Sequence, residues 1–303
     1  MITKVRKGAC LGMVLALGTL ACYLSAATAA APAPQQETFT SPWRASRALL
    51  EATKAGDEAK LMALFGPEGK TLISSGDPEQ DKENRQTFVR NYEQVHRLVK
   101  EPDGTVTLFL GSANWPFPIP LVQQEGAWYF DTSAGLQEIL FRRIGKNELS
   151  AIQVCHELVA AEKEHYAGAH PGEAGQYASK FVDENGEPNG LYHPVASGTP
   201  EIGPLLAQAG EARTPFHGYY FRILTRQGKD APGGAKHYMV HGKMTGGFAF
   251  VAYPAQYRST GVMTFLVNQD GTVYEKDLGP KTLRVATAMK AFNPTPDWKK
   301  VEE

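Results

Sequence analysis

The sequence predicts an α+β protein in two halves. An N-terminal domain over 42–145 sets helices against a curved antiparallel sheet, and a C-terminal domain over 146–303 lays a long helix on a second antiparallel sheet. Three observations carry this. Apolar residues recur at helical spacing and then give way to short β-rich runs, and that order occurs twice. The βαβ alternation that builds a parallel sheet is missing. The β-rich runs of the last third are separated by turn residues rather than helices.

Residues 31–41 form an Ala/Pro/Gln-rich leader to the first domain. Ser41-Pro42 opens a helix, the serine as cap and the proline at the first helical position, where its missing N–H costs nothing. Leu49, Leu50 and Ala52, then Leu61, Leu64 and Phe65, hold the helical spacing on either side of a turn at Gly56-Asp57. Phe88, Tyr92, Val95 and Val99 predict a further helix over Asn84–Val99. A strand follows at Thr105–Leu110, after the Asp103-Gly104 turn.

From Trp115 to Leu121, prolines stand at 116, 118 and 120. Alternate N–H groups of a strand point to the same edge, so these prolines strip one edge of donors and leave the other able to pair. The pattern predicts an edge strand protected against aggregation. A polyproline segment headed by Trp115 that docks a partner is the other reading. Ala127–Asp131 closes the sheet.

Helical signals run from Thr132 to Tyr166, with a break expected near Gly145-Lys146. Leu149, Ile152, Cys155, Val159, Glu162 and Tyr166 form one stripe, which turns Cys155 to the core. A Gly/Pro-rich loop spans 168–215, with a helical hint around Leu205. Strands are expected at Tyr219–Thr225, Tyr238–Val240, Phe248–Tyr253, Val262–Val267 and Thr272–Glu275. Asn268-Gln269-Asp270-Gly271 makes a tight hairpin with the glycine left-handed, and Leu283–Phe292 a closing helix.

The N-terminus reads as a secretion signal over 1–30. Lys4, Arg6 and Lys7 precede an apolar run from Ala9 to Leu24 and a small-residue exit with cleavage after Ala29. Thr19-Leu20-Ala21-Cys22 also resembles a bacterial lipoprotein box, a second route that would lipidate Cys22 and tether the chain to a membrane. The chain carries 31 Lys and Arg against 32 Asp and Glu, and the leader takes cations away, so nothing supplies the basic surface that nucleic acid requires. Cys10 and Cys22 lie in the leader, leaving Cys155 without an internal disulfide partner.

Several blocks resemble a family of exported bacterial proteins, domain-of-unknown-function family 2950. They are Ser74-Ser75-Gly76-Asp77, Trp115 to Leu121, Trp128 to Thr132, Arg143-Ile144-Gly145 with Asn147-Glu148-Leu149, and His217-Gly218-Tyr219-Tyr220 through Gly279-Pro280. The resemblance implies a bacterial envelope protein and brings no catalytic residues. The second half, with its helix from Asn147-Glu148 and the sheet bearing Ala252-Tyr253-Pro254 and Thr260-Gly261-Val262, resembles the globular domain of type II secretion pseudopilins. It lacks the prepilin motif and hydrophobic helix that polymerisation needs. The first half is similar to the helix-and-curved-sheet domains of the nuclear-transport-factor-like superfold.

Familiar chemistries fail on spacing. His156-Glu157 lacks the second histidine of a zinc protease, because position 160 is Ala. His237 and His241, four apart in strand-like sequence, stand roughly 13 Å apart, too far for one ion. His165 and His170 flank a glycine turn without a thiolate or carboxylate set beside them. Gly69-Lys70-Thr71 lacks the earlier glycine of a phosphate loop, and Pro188 sits where a calcium loop needs glycine. No cofactor, metal site or catalytic set is assigned. Tyr219, Tyr253 and Tyr257, with Arg222, Lys243 and Trp115, are the candidate binding residues, although strand aromatics ordinarily pack into a core. The sequence reading is a non-catalytic binding or assembly factor of the cell envelope whose partner is another envelope protein. The alternative is a hydrolase-type envelope enzyme of unrecognised class with an inter-domain site, where dispersed acids such as Asp131 and Glu157 would meet.

Overall fold

The structure, a computed structural model, describes residues 36–74, 76–168, 174–182, 190–192 and 215–302. Ala29, Cys22, the helical hint at Leu205, His170 and Pro188 lie outside the described residues. The described chain divides into two compact units, one ending at Thr132 and the other starting at Ser133.

In the first unit, α1 (Pro42–Ala55) starts where expected, with the Ser41 side chain accepting from Arg44 N. Gly56 turns left-handed, and Asp57 caps α2 (Glu58–Phe65) through Lys60 N. A short α3 (Lys70–Ile73) leads to α4 (Pro78–Gln94), capped by Asp77 on Glu79 N and Gln80 N. The helix expected over Asn84–Val99 therefore begins and ends earlier. Val95 is already extended, and β1 (His96–Lys100) pairs antiparallel with β2 (Val106–Leu110) over five residue pairs. The cause is non-local, since β-branched Val99 finds a sheet partner in Thr107 that no local periodicity reveals.

The proline run is not one strand. β3 (Trp115–Pro116) pairs with β2, and Phe117 N donates to Leu108 O, so Pro116 leaves the pairing donor to the residue after it, while Pro118 and Pro120 lie outside any strand. The chain then bends, and β4 (Leu121–Gln124) enters between β2 and β5 (Ala127–Phe130). Phe39 pairs with Trp128 and covers the outer edge of β5. Val106, Leu108 and Leu110 alternate inward on β2 and meet Leu49, Leu64 and Tyr92 from the helices. Rings of Phe65, Phe88, Phe117 and Phe130 interlock edge-on at the centre of this layer.

The second unit is organised by α5 (Thr132–Tyr166), 35 residues without the break expected at Gly145. One glycine costs a helix only about 1 kcal/mol, and the flanking Arg, Lys and Glu are good helix formers. The expected domain boundary at 145 thus falls inside a helix. Its buried stripe is Ala151, Val154, Cys155, Leu158, Val159, Glu162 and His165. Leu149 does not belong to it, being 70% exposed, because six residues place it roughly 120° around the helix from Cys155.

β6 (Lys180–Val182) and β7 (Gly190–Tyr192) form a parallel pair within the expected loop. The main sheet contains β8 (Tyr219–Leu224), then, after several short strands, β13 (Ala249–Pro254), β14 (Met263–Asn268), β15 (Tyr274–Asp277) and β17 (Lys299–Lys300). Its order is β17-β15-β14-β13-β8, antiparallel throughout. The short strands are β9 (Arg226–Gln227), β10 (Lys236–His237), β11 (Met239–Val240) and β12 (Lys243–Met244). β9 also pairs in parallel with β16 (Ala291–Phe292), which follows α6 (Thr282–Ala288). The hairpin after β14 turns on left-handed Gly271.

Every residue of β13 is buried, because both faces of the sheet are covered. Tyr219, Phe221, Phe250 and Phe265 lie on the face that shares its core with α5. Tyr220, Arg222, Tyr253 and Tyr274 lie on the other, under α6 and the C-terminal segment.

Candidate functional site

Polar side chains gather at two places on α5. The first joins the helix to the loop before β14. Arg143 Nη2 donates to Ser259 O at 3.2 Å, and Asn147 Nδ2 to Thr260 O at 2.9 Å. One oxygen of Glu148 accepts from Val262 N at 2.8 Å and Met263 N at 3.0 Å. The three side chains lie on adjacent turns of one helix face, so the helix pins Ser259, Thr260 and Val262 of the loop and Met263 at the start of the strand.

Tyr219 completes this joint from β8. Its hydroxyl donates to Met263 O at 2.9 Å, and the residue is fully buried. Burial foremost, and then the neighbouring Glu148 carboxylate, push its phenol well above the ordinary value, so it stays a neutral donor. Two glycines make room. A Cβ on Gly261 would stand 2.1 Å from Tyr219 Oη, and one on left-handed Gly218 would stand 2.8 Å from Asn147 Nδ2. Of the residues that the sequence singled out, Asn147, Glu148, Gly218, Tyr219, Thr260, Gly261 and Val262 thus interlock, with Arg143, as one structural joint.

The second place is the C-terminal end of α5. Glu162 is fully buried, and its Oε2 accepts from Ala178 N at 2.8 Å. His165, one turn on, is also buried, with Nδ1 at 3.0 Å from Gln176 O. Tyr166 and Tyr177 stack at 4.5 Å between ring centroids. Burial drives the Glu162 carboxyl well above its usual range, against a small opposing pull from the Ala178 N–H. A buried acid held toward its neutral form, one helical turn from a histidine, has the composition of a general acid–base pair. With none of Glu162 at the surface, no substrate reaches it in this conformation. No motif marks this residue in the sequence. The only signal is a carboxylate seven residues after Cys155, two turns along the same buried stripe.

The candidate binding residues separate. Tyr219 and Tyr253 are core residues on opposite faces of the sheet. Arg222 Nη1 donates to Ala286 O and Thr287 O, tying down the end of α6. Tyr257 donates to Asp277 Oδ2 and lies under the Arg258 guanidinium. Lys243 is exposed on the β11–β12 hairpin, and Trp115 is 45% exposed in the first unit.

Cys155 has no exposed surface, and burial pushes its thiol up to about 12. Asp131 ends β5 with its N–H on Pro120 O, and Glu157 accepts from Gln153 Nε2 on α5. A hollow of about 430 Å³ at the start of α4 is lined by Asp77, Glu79, Gln80, Lys82, Glu83 and Gln86. It lacks the apolar walls of a small-molecule site. Among the described residues, no group of three or more His, Cys, Asp or Glu side chains is placed to hold a metal ion. No helix among them is long and apolar enough to cross a membrane.

Residues 36–301 match the family model described as a protein of unknown function, DUF2950. No curated protein and no solved structure matches the chain.

Proposed function

This chain belongs to the DUF2950 family of proteins of unknown function, and on that premise we propose that it is an exported, non-catalytic binding or assembly protein of the bacterial cell envelope. The observation that carries the reading is the use made of its polar side chains. Arg143, Asn147, Glu148, Tyr219 and Arg222 all direct their polar atoms at backbone groups within the second unit. A catalytic centre needs a nucleophile or acid–base group directed at open space, whereas these groups hold loop, helix and sheet together. The positive start, apolar run and Ala27-Thr28-Ala29 exit of the N-terminus support export. A long helix laid on an antiparallel sheet is also the arrangement of pseudopilin globular domains, which supports an assembly role.

The test is an affinity capture of the tagged chain from cross-linked native envelope, read by mass spectrometry. The expected result is reproducible recovery of one envelope protein. That recovery should fall when the surface residues Trp115, Lys243 and Tyr257 are changed to Ala. Recovery of nothing above a tag-only control, together with hydrolysis of isolated envelope material by the purified chain, would overturn the reading in favour of an enzyme.

A further inference from the structure

The segment from Ala174 to Val182 straps the end of α5 to the sheet. Gly175 N donates to Tyr166 O at 2.9 Å, and Tyr177 N donates to Met244 O at 2.7 Å. The Tyr177 ring rests on Phe248 at 4.9 Å, and Phe181 on Phe250 at 5.9 Å. Beneath the strap, Glu162 reaches up from the helix and takes the Ala178 N–H on Oε2. Its second oxygen, Oε1, is buried and has no hydrogen-bond partner among the described residues.

A carboxylate in that position would have lost its water and gained a single N–H. Taking a charge out of water is costly, and one hydrogen bond does not repay it. The neutral acid tolerates the site, and hydration of Oε1 requires the strap to lift. Among the described residues, no charged group acts on the acid to offset its burial. The helix contributes His165 and Tyr166, and the strap Tyr177 and the half-buried Lys180. The sheet contributes the apolar rings of Phe248 and Phe250, while Lys243, beside Met244 on β12, is exposed.

We propose that Glu162 is a proton-operated latch: its neutral carboxyl clasps the strap Ala174–Val182 to the helix, and loss of the proton releases it. In the open state the side chain is hydrated and titrates as an ordinary exposed glutamate. The closed state holds its proton to higher pH because burial raises the group. Closure is therefore complete in strength below the ordinary value. It weakens about tenfold per pH unit as pH rises from there, and levels off at the raised value.

The experiment is hydrogen exchange of the chain from Ala31 to Glu303, corrected for intrinsic exchange and read at the Ala178 amide between pH 5 and 8. Protection in the wild type is expected to fall about tenfold per pH unit from pH 5 until it levels off. Glu162→Gln, which keeps an acceptor and has no proton to lose, should stay flat within about twofold. Any pH dependence that the two proteins share cancels in the comparison. A flat wild-type profile, or equal slopes in the two proteins, overturns the latch. Should the variant fail to fold, trypsin cleavage after Lys180 in the wild type, divided by cleavage after exposed Arg258, gives the second readout. That ratio must rise with pH over the same range, and a constant ratio refutes the proposal.

Discussion

Glu148→Ala removes the acceptor of two backbone N–H groups, those of Val262 and Met263, which it holds at 2.8 and 3.0 Å. A hydrogen bond to a charged group contributes about 1.5–3 kcal/mol. These bonds are partly buried, so a discount toward the lower end for solvent is warranted. Two of them set a loss of about 3 kcal/mol, which for a unit of this size lowers Tm by roughly 6–12 °C. Glu148→Gln keeps one oxygen in place without the charge and should lose about 1 kcal/mol. Tyr219→Phe removes the donor to Met263 O on the same loop end. A double-mutant cycle between positions 148 and 219 should therefore show coupling of about 1 kcal/mol, because the two act on one loop. The measurement is urea unfolding followed by near-UV circular dichroism, on wild type, both singles and the double. Stability of Glu148→Ala within about 0.5 kcal/mol of wild type, or strictly additive losses, would refute the view that this joint organises the second unit.

Gly261→Ala should destabilise by about 1–3 kcal/mol through overpacking, since its Cβ would meet Tyr219 Oη. Chemical denaturation should show part of that loss recovered when Tyr219→Phe is added. Gly145→Ala should stabilise by about 0.5–1 kcal/mol, because the helix is continuous there and a Cβ meets nothing within 4 Å; a lower denaturation midpoint would mean that the helix is broken after all. Cys155, fully buried with its thiol pushed up to about 12, should resist a thiol reagent at pH 8 in the native chain from Ala31. The same thiol should react fully in denaturant, and rapid native labelling would contradict the packing.

Much of this molecule was legible before any coordinates. Local rules placed the Ser41 cap, the Gly56-Asp57 turn, the hairpin on Gly271 and the two-fold succession of helices and antiparallel strands, because each depends on residues a few positions apart. The inward turn of Cys155 followed from helical spacing alone. Tertiary contacts decided the rest. Val95–Val99 left a helical pattern because β2 offered a ladder, and the proline run divided because β4 had to reach β5. Gly145 stayed helical because a lone glycine is a weak breaker. The roles of Glu148 and Glu162 were invisible because their partners are backbone N–H groups, which every residue but proline carries and no side-chain pattern records. Sequence fixes which groups can ionise or donate; only the folded chain decides which of them lose water, and that loss turns an ordinary glutamate into a clasp.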